Sequence, residues 1–494
     1  MISSPHRIRR LQWLVSTPAI DQAFLLRQRF CNHWQDELLP AIEAAFDEVN
    51  LGDRTLHISK LELHLCVTTL EDLSDRLPDL IQQQLKAQLQ ALEGQSPDRD
   101  RSPCQSMTAQ QHTLTTLLHY LRTGSLPWET THHPPADITT KLQEACQQHR
   151  SLLLSQLPLE SIAYYFRLLQ LTPPAQWADL GAELSDRLPT AIRPAILQIL
   201  IVLSRESTHL THYCQLNLAA MVLSESLKSP TGLLDRLLAI AESTLSVAEH
   251  RTLSNIIASL PAAAIAFPPD PTQLELTSTS PDKALEIRDN PPLPVPDLLA
   301  ASPEDKGFGV KVNPALSAIA PAADFSLPTR YAGLLLACPF LPRLLETTGI
   351  KNPQDADIPA AQLPRAAALL HYLATGDEAL FEHELTLIKV LLGRDPNQPL
   401  LVAAGLLQPD DKAETEALLQ SLLNYWEALK TTSIDGLRSS FLQRSGLLRD
   451  RDNGWWVQVE SKPYDMLLNQ LPWSISVVKL PWMQRPIYSE WQTL

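Results

Sequence analysis

The stretches Leu-Leu-His-Tyr-Leu-Arg-Thr-Gly at 117–124 and Leu-Leu-His-Tyr-Leu-Ala-Thr-Gly at 369–376 agree at seven of eight positions. Each reads as a short apolar helix running into Thr-Gly, where glycine suits the left-handed residue that ends a helix. A duplicated helical module is the simplest source of such a pair. The fold it predicts is mainly α, made of short packed helices.

The sequence around the first copy supports this reading. Leucine-rich segments are interrupted at Pro127, Pro134, Pro158, Pro173, Pro189, Pro194 and Pro230. A proline inside a helix costs about 3 kcal/mol or more, so each is expected at a helix start or connection. One long rod is excluded. Beyond this region, 13 of the 40 prolines fall between Pro261 and Pro328, the composition of a stiff linker. A shorter break, GQSPDRDRSPCQS, runs from Gly94 to Ser106. The expected division is 1–94, a linker at 95–106, a helical block at 107–260, a proline-rich linker at 261–329, and a helical block with a tryptophan-rich ending at 330–494.

The two terminal units are expected to carry strands. In the first, Leu11, Trp13 and Val15 alternate as in a half-buried strand, and Ala23 to Leu38 follows a helical period. Leu56 and Ile58 lie on one parity and Leu61, Leu63 and Leu65 on the other, which requires a bulge near Ser59 and Lys60. Thr68 and Glu71 have capping-box spacing before a helix bearing Leu73, Leu77, Leu80, Ile81 and Leu85. This is a β-α-β-α order. In the last, Trp455, Val457 and Val459 alternate with Trp456, Gln458 and Glu460. Pro463 then opens a short helix, and Ile475 and Val477 resume strand alternation, a β-α-β ending.

Composition bounds the function. The 494 residues are 44% hydrophobic and 19% charged, a folded chain of about three domains. No apolar run reaches the ~18–20 residues of a membrane span. The N-terminus has basic residues but no apolar leader, so the expected compartment is cytoplasmic. The net charge of −15 opposes phosphate backbones, and nucleic acid is not an expected partner. Six scattered cysteines read as reduced thiols.

Chemistry is sparse. Gly307 and Gly309 form no phosphate loop, and His383-Glu384 begins an HExxH match whose second histidine position is Leu387, so no metal or cofactor is expected. His132 and His133 read as loop residues, Cys338 as a buried inert thiol, and Asp465 as a helix cap rather than an acid-base partner of Glu460. No catalytic residue is assigned. Five of the ten tryptophans fall in the last 40 residues, and large amphipathic rings anchor interfaces. Trp455, Trp473 and Trp482 read more readily as core and Trp491 as interface. The candidate interface set is Trp456, Trp482, Trp491, Tyr464 and Tyr488.

The C-terminal block resembles the contractile injection system tape measure protein family, through GLLLACPFLPRLLE (333–346), RAAALLHYLATG (365–376), ELTLIKVLLG (384–393), WEALKTTSIDGLRSSFLQRSGLL (426–448) and VESKPYDMLLNQLPWSISVVKLPWM (459–483). HRIRRLQW and HISKLELHL resemble it at the N-terminal end. Leu392 stands where that family commonly has cysteine, and Cys66 where it has glycine. The resemblance implies a non-catalytic part of a bacterial phage-tail-like particle that helps set the length of inner tube and sheath. Implied partners are inner tube, baseplate or spike, and cap proteins, with self-association possible. An assembly chaperone or adaptor for tube or cap subunits is the alternative. The mechanism expected from the linker is two terminal modules held apart by a stiff tether of roughly 200 Å at about 3.1 Å per residue.

Overall fold

A computed structural model of the chain describes residues 6, 8, 11, 37–48, 54–58, 61–65, 76–93, 104–130, 134–155, 161–183, 193–204, 212–228, 251, 254–255, 326–400, 405–429 and 431–491. Within these the architecture is mainly α, with one two-stranded and one five-stranded sheet.

In the N-terminal region, α1 (Leu39–Asp47) packs on α2 (Leu77–Glu93) through Ile42, Ala45, Leu77, Ile81, Leu85 and Leu89. The residues of α2 recur every four positions, so one stripe is buried. Strand β1 (Arg54–Ile58) pairs antiparallel with β2 (Cys104–Thr108), Leu56 facing Ser106. Two expectations change here. Residues 104–106, read as linker because of their polar composition, belong to this second strand, since strand partnering is set by a distant segment and not by local polarity. The strand expected through Leu65 ends at Ile58, while Leu61, Leu63 and Leu65 still pack on the first core. Leu11 is 44% exposed. Trp13, Val15, the helix start near Asp21, Ser59, Lys60, Thr68, Glu71 and Leu73 lie outside the described residues.

The middle region follows as α3 (Ala109–Thr123), α4 (Pro135–Gln148), α5 (Arg150–Ser155), α6 (Ile162–Leu171), α7 (Trp177–Glu183), α8 (Arg193–Leu203) and α9 (His212–Lys228). Prolines sit where the missing N–H does no harm. Pro135 opens α4, Pro194 lies in the first turn of α8, and Pro173 and Pro174 lead into a 3₁₀ turn. Pro158, Pro189 and Pro230 lie outside the described residues. Thr108 caps α3. Its hydroxyl accepts the Gln111 N–H at 3.2 Å, and the Gln111 side chain accepts the Thr108 N–H at 2.9 Å. Trp177 is fully buried and donates to the Leu169 and Thr172 carbonyls at 3.2 and 3.1 Å, tying α7 to the end of α6.

The C-terminal region has β3 (Ser326–Thr329), a 3₁₀ segment Ala332–Phe340, α10 (Leu341–Thr347), α11 (Leu363–Thr375), α12 (Thr386–Leu391), α13 (Pro409–Tyr425) and α14 (Ile434–Leu437). Then come β4 (Gly446–Arg451), β5 (Gly454–Val459), a 3₁₀ helix at Pro463–Gln470, β6 (Val477–Val478) and β7 (Ile487–Glu490). The sheet order is β3-β4-β5-β7-β6, antiparallel except for the parallel β5–β7 pair. The β-α-β ending is thus part of a larger sheet. Its outer strand β3 comes from residues read as the end of the proline-rich linker. Pro328 is compatible with that place, because an edge strand has one side free of ladder bonds. Val457 and Val459 are buried and Gln458 exposed, the alternation read from β5.

The duplicated octapeptides end in the same way. Gly124 (φ 72°) and Gly376 (φ 76°) occupy the left-handed position, each donating its N–H to Tyr120 or Tyr372 at 2.7 Å. Thr123 and Thr375 each donate to the carbonyl four residues back, His119 or His371, at 2.8 Å.

Candidate functional site at the junction of the helical regions

Each duplicated helix end is covered by an arginine from a later helix. Arg167, on α6, donates from Nη1 to the Leu121 and Arg122 carbonyls at 3.2 Å. Arg438 donates to the Leu373 and Tyr372 carbonyls at 3.3 and 3.4 Å. Cations suit this end of a helix, where carbonyls are unsatisfied and the dipole is negative. Ser161 caps α6, which carries Arg167, and Ser433 caps α14, which runs directly into the π-helical turn Arg438–Leu442; they accept the N–H groups of Tyr164 and Gly436. The duplication therefore extends beyond the octapeptide to a capped helix with an arginine, a feature missed in the sequence, where Ser-Ile at 161–162 and 433–434 was its signal.

The two arginines differ in their partners. Arg438 pairs with Glu416 at 2.6 Å within its own region. Arg167 crosses to the C-terminal region, where Nη2 meets Glu382 at 3.0 Å and the Asn397 carbonyl at 2.5 Å. Glu382 also accepts from Lys389 at 2.8 Å and Tyr120 at 3.3 Å. Side chains of Arg167, Glu382 and Lys389 are 0%, 1% and 1% exposed. Two cations face one anion, and four backbone carbonyls, those of Leu121, Arg122, Pro396 and Asn397, offset the excess charge. The middle and C-terminal regions meet here. In this structure the two regions expected to be held apart by a tether are in contact.

Burial by itself would raise the Glu382 carboxyl, but Lys389 and Arg167 outweigh it and hold the group below its ordinary range. An ionised carboxylate saturated by two cations is a poor base. It serves as a buried clasp. A cavity of about 110 Å³ lies beside it, lined by Tyr120, Gln143, Gln170, Phe381, Glu382 and His383. His383 stacks on Phe381 and is pushed down to about 3 by burial, so its ring is neutral. His119 is pushed down to about 4, again chiefly by burial. The unfolded-state histidine value is about 6.5, so neutral burial stabilises fully above pH 6.5 and is lost as the pH falls from there toward these lower values. Between pH 7.5 and 5.0, His383 is expected to remove about 2 kcal/mol of stability, and His119 nearly as much. Urea midpoints at the two pH values check this; His383→Leu should shrink the difference, and equal midpoints would contradict it.

The remaining candidates separate into three places. Trp456 stacks on Tyr488 at 4.9 Å, opposite it in the β5–β7 register, with the Arg451 guanidinium 4.2 Å from the indole ring. Trp491 and Tyr464 flank Arg444, which pairs with Asp465. Trp482 is 5% exposed and donates to the Leu391 carbonyl at 2.8 Å. It fills the core and is not available as a surface anchor, because its ring has apolar neighbours and its one polar atom is satisfied. Asp465 caps the Pro463–Gln470 helix by accepting the Lys462 N–H at 2.9 Å, and Glu460 pairs with Lys462 at 2.5 Å. Cys338 is buried, its thiol pushed up by desolvation. His132, His133, Gly307 and Gly309 lie outside the described residues.

Among the described residues no helix is long and apolar enough to cross a membrane. No curated protein and no solved structure matches the chain. The family described as contractile injection system tape measure protein matches residues 5–491, including both copies of the octapeptide and the segment between them. A match over nearly the whole sequence shows that the chain is a member of that family and a structural part of a contractile injection particle.

Proposed function

We propose that this protein helps set the length of the inner tube and sheath while the particle assembles in the bacterial cytoplasm. The observation that carries the reading is the proline-dense segment at 261–328 lying inside the family match. Extended at about 3.1 Å per residue it would reach roughly 200 Å. In the clasped form its flanking regions touch through Arg167 and Glu382, so the clasp would open for the segment to extend between different parts of the assembly. One end would then contact the baseplate or spike and the other the growing tube or cap. Trp456 with Tyr488, and Trp491 with Tyr464, are the proposed contact residues, and no reaction is assigned to the chain. Deleting stretches of residues 265–325 should shorten particles in negative-stain images in step with the number removed. Unchanged lengths would remove the measuring role.

The clasp itself favours a second reading, an adaptor or chaperone for tube or cap subunits that never opens. Mass spectrometry of purified particles separates the two. A ruler is retained at a few copies per particle, whereas a chaperone is absent.

A further inference from the structure

We propose a divalent transition-metal site formed by His57, His112 and Glu129. The three residues come from separate elements: His57 from β1, His112 from the first turn of α3, and Glu129 from the 3₁₀ turn Trp128–Thr130. Topology makes them neighbours. Strand β2 pairs with β1 and runs directly into α3, which brings the imidazole of His112 beside that of His57, ring centroids 5.7 Å apart. Glu129 Oε1 lies 3.8 Å from His57 Nε2 and 3.9 Å from His112 Nε2. All three donor atoms lie within 4.8 Å of one another, the only such group of three among the described residues.

The spacing fits a metal better than a direct pair. Hydrogen bonds need about 2.7–3.2 Å, and both nitrogen–oxygen separations exceed that. Two donors about 2.0–2.1 Å from a tetrahedral ion stand roughly 3.4 Å apart. Closing the two nitrogen–oxygen gaps by about half an ångström, and bringing the two imidazole nitrogens, now within 4.8 Å, to the same spacing, is a matter of side-chain torsions. Side-chain exposures of 32%, 24% and 18% for His57, His112 and Glu129 leave an entry path and room for a water as fourth ligand.

The donor set selects the ion. Two imidazoles and one carboxylate suit zinc, cobalt, nickel or copper, and a hard cation such as magnesium prefers oxygen ligands. The bound ion would staple β1 to α3 and the Trp128–Thr130 turn, fixing the N-terminal region to the middle one. Three residues scattered over the sequence, with no motif spacing, explain why this was not read from it.

The full chain, stripped with a chelator, should bind one zinc ion by calorimetry, and zinc should raise its unfolding midpoint. Cobalt substituted at the site should give d–d absorption without a thiolate charge-transfer band. His57→Asn, His112→Asn and Glu129→Gln should each weaken zinc binding by more than the roughly 10- to 100-fold that loss of an outer-shell partner costs. The wild-type titration needs no variant to fold, and absence of zinc binding there overturns the site. Binding that survives all three substitutions, or a cobalt–thiolate band, overturns it equally.

Discussion

Replacing Glu382 by alanine is expected to cost about 3–5 kcal/mol, the range for removing one partner of a buried charge cluster. The size follows from what remains. Arg167 and Lys389 stay in the interior, 0% and 1% exposed, without the one carboxylate that pairs with both. The loss should appear as a lowered urea midpoint and faster proteolysis between the middle and C-terminal regions. Replacing all three charged residues together, with Arg167→Met, Glu382→Leu and Lys389→Met, should cost far less or even stabilise, because it removes the desolvation of every charge along with the attraction. A cost for Glu382→Ala within about 0.5 kcal/mol, typical of surface positions, would mean that the cluster is wet.

A second large loss, also about 3–5 kcal/mol, is expected for Asp465→Ala. Asp465 is fully buried and joins three elements. It pairs with Arg444 next to β4, accepts the Lys462 N–H at the start of its own 3₁₀ helix, and accepts the Trp491 indole N–H at 3.1 Å beyond β7. Alanine leaves the Arg444 guanidinium, 2% exposed, without its carboxylate and uncaps the helix, the cap alone being worth about 1 kcal/mol. Asp465→Asn keeps an acceptor for the cap and should fall between alanine and wild type in a thermal or urea melt. Equal stability of all three forms would contradict the assigned role.

Local rules carried the reading furthest where a residue's neighbours in sequence are also its neighbours in space. The Thr-Gly ends of the octapeptides, the prolines at helix starts, the cap at Asp465 and the β5 alternation all depend on contacts a few residues apart. Long-range partnering was not legible. Strand β2 looked like a polar break until β1 was there to pair with it, and β3 was hidden in a proline-rich run. The β4–β5 hairpin was signalled by Asp452-Asn453-Gly454, a turn composition that went unread. Trp482 shows the limit for aromatic residues, since composition cannot tell a core indole from an interface one. The ionic clasp and the His57–His112–Glu129 group join residues far apart in the chain, each of ordinary type in its own segment.

The most direct test of the clasp is a double-mutant cycle on the full chain with Arg167→Met, Glu382→Gln and their combination, read as unfolding free energies. Because the two side chains share a buried pair at 3.0 Å, the single losses should exceed the double loss, with a coupling of about 1.5 kcal/mol or more. Additivity within about 0.5 kcal/mol would show that the helical regions do not close on each other through this pair.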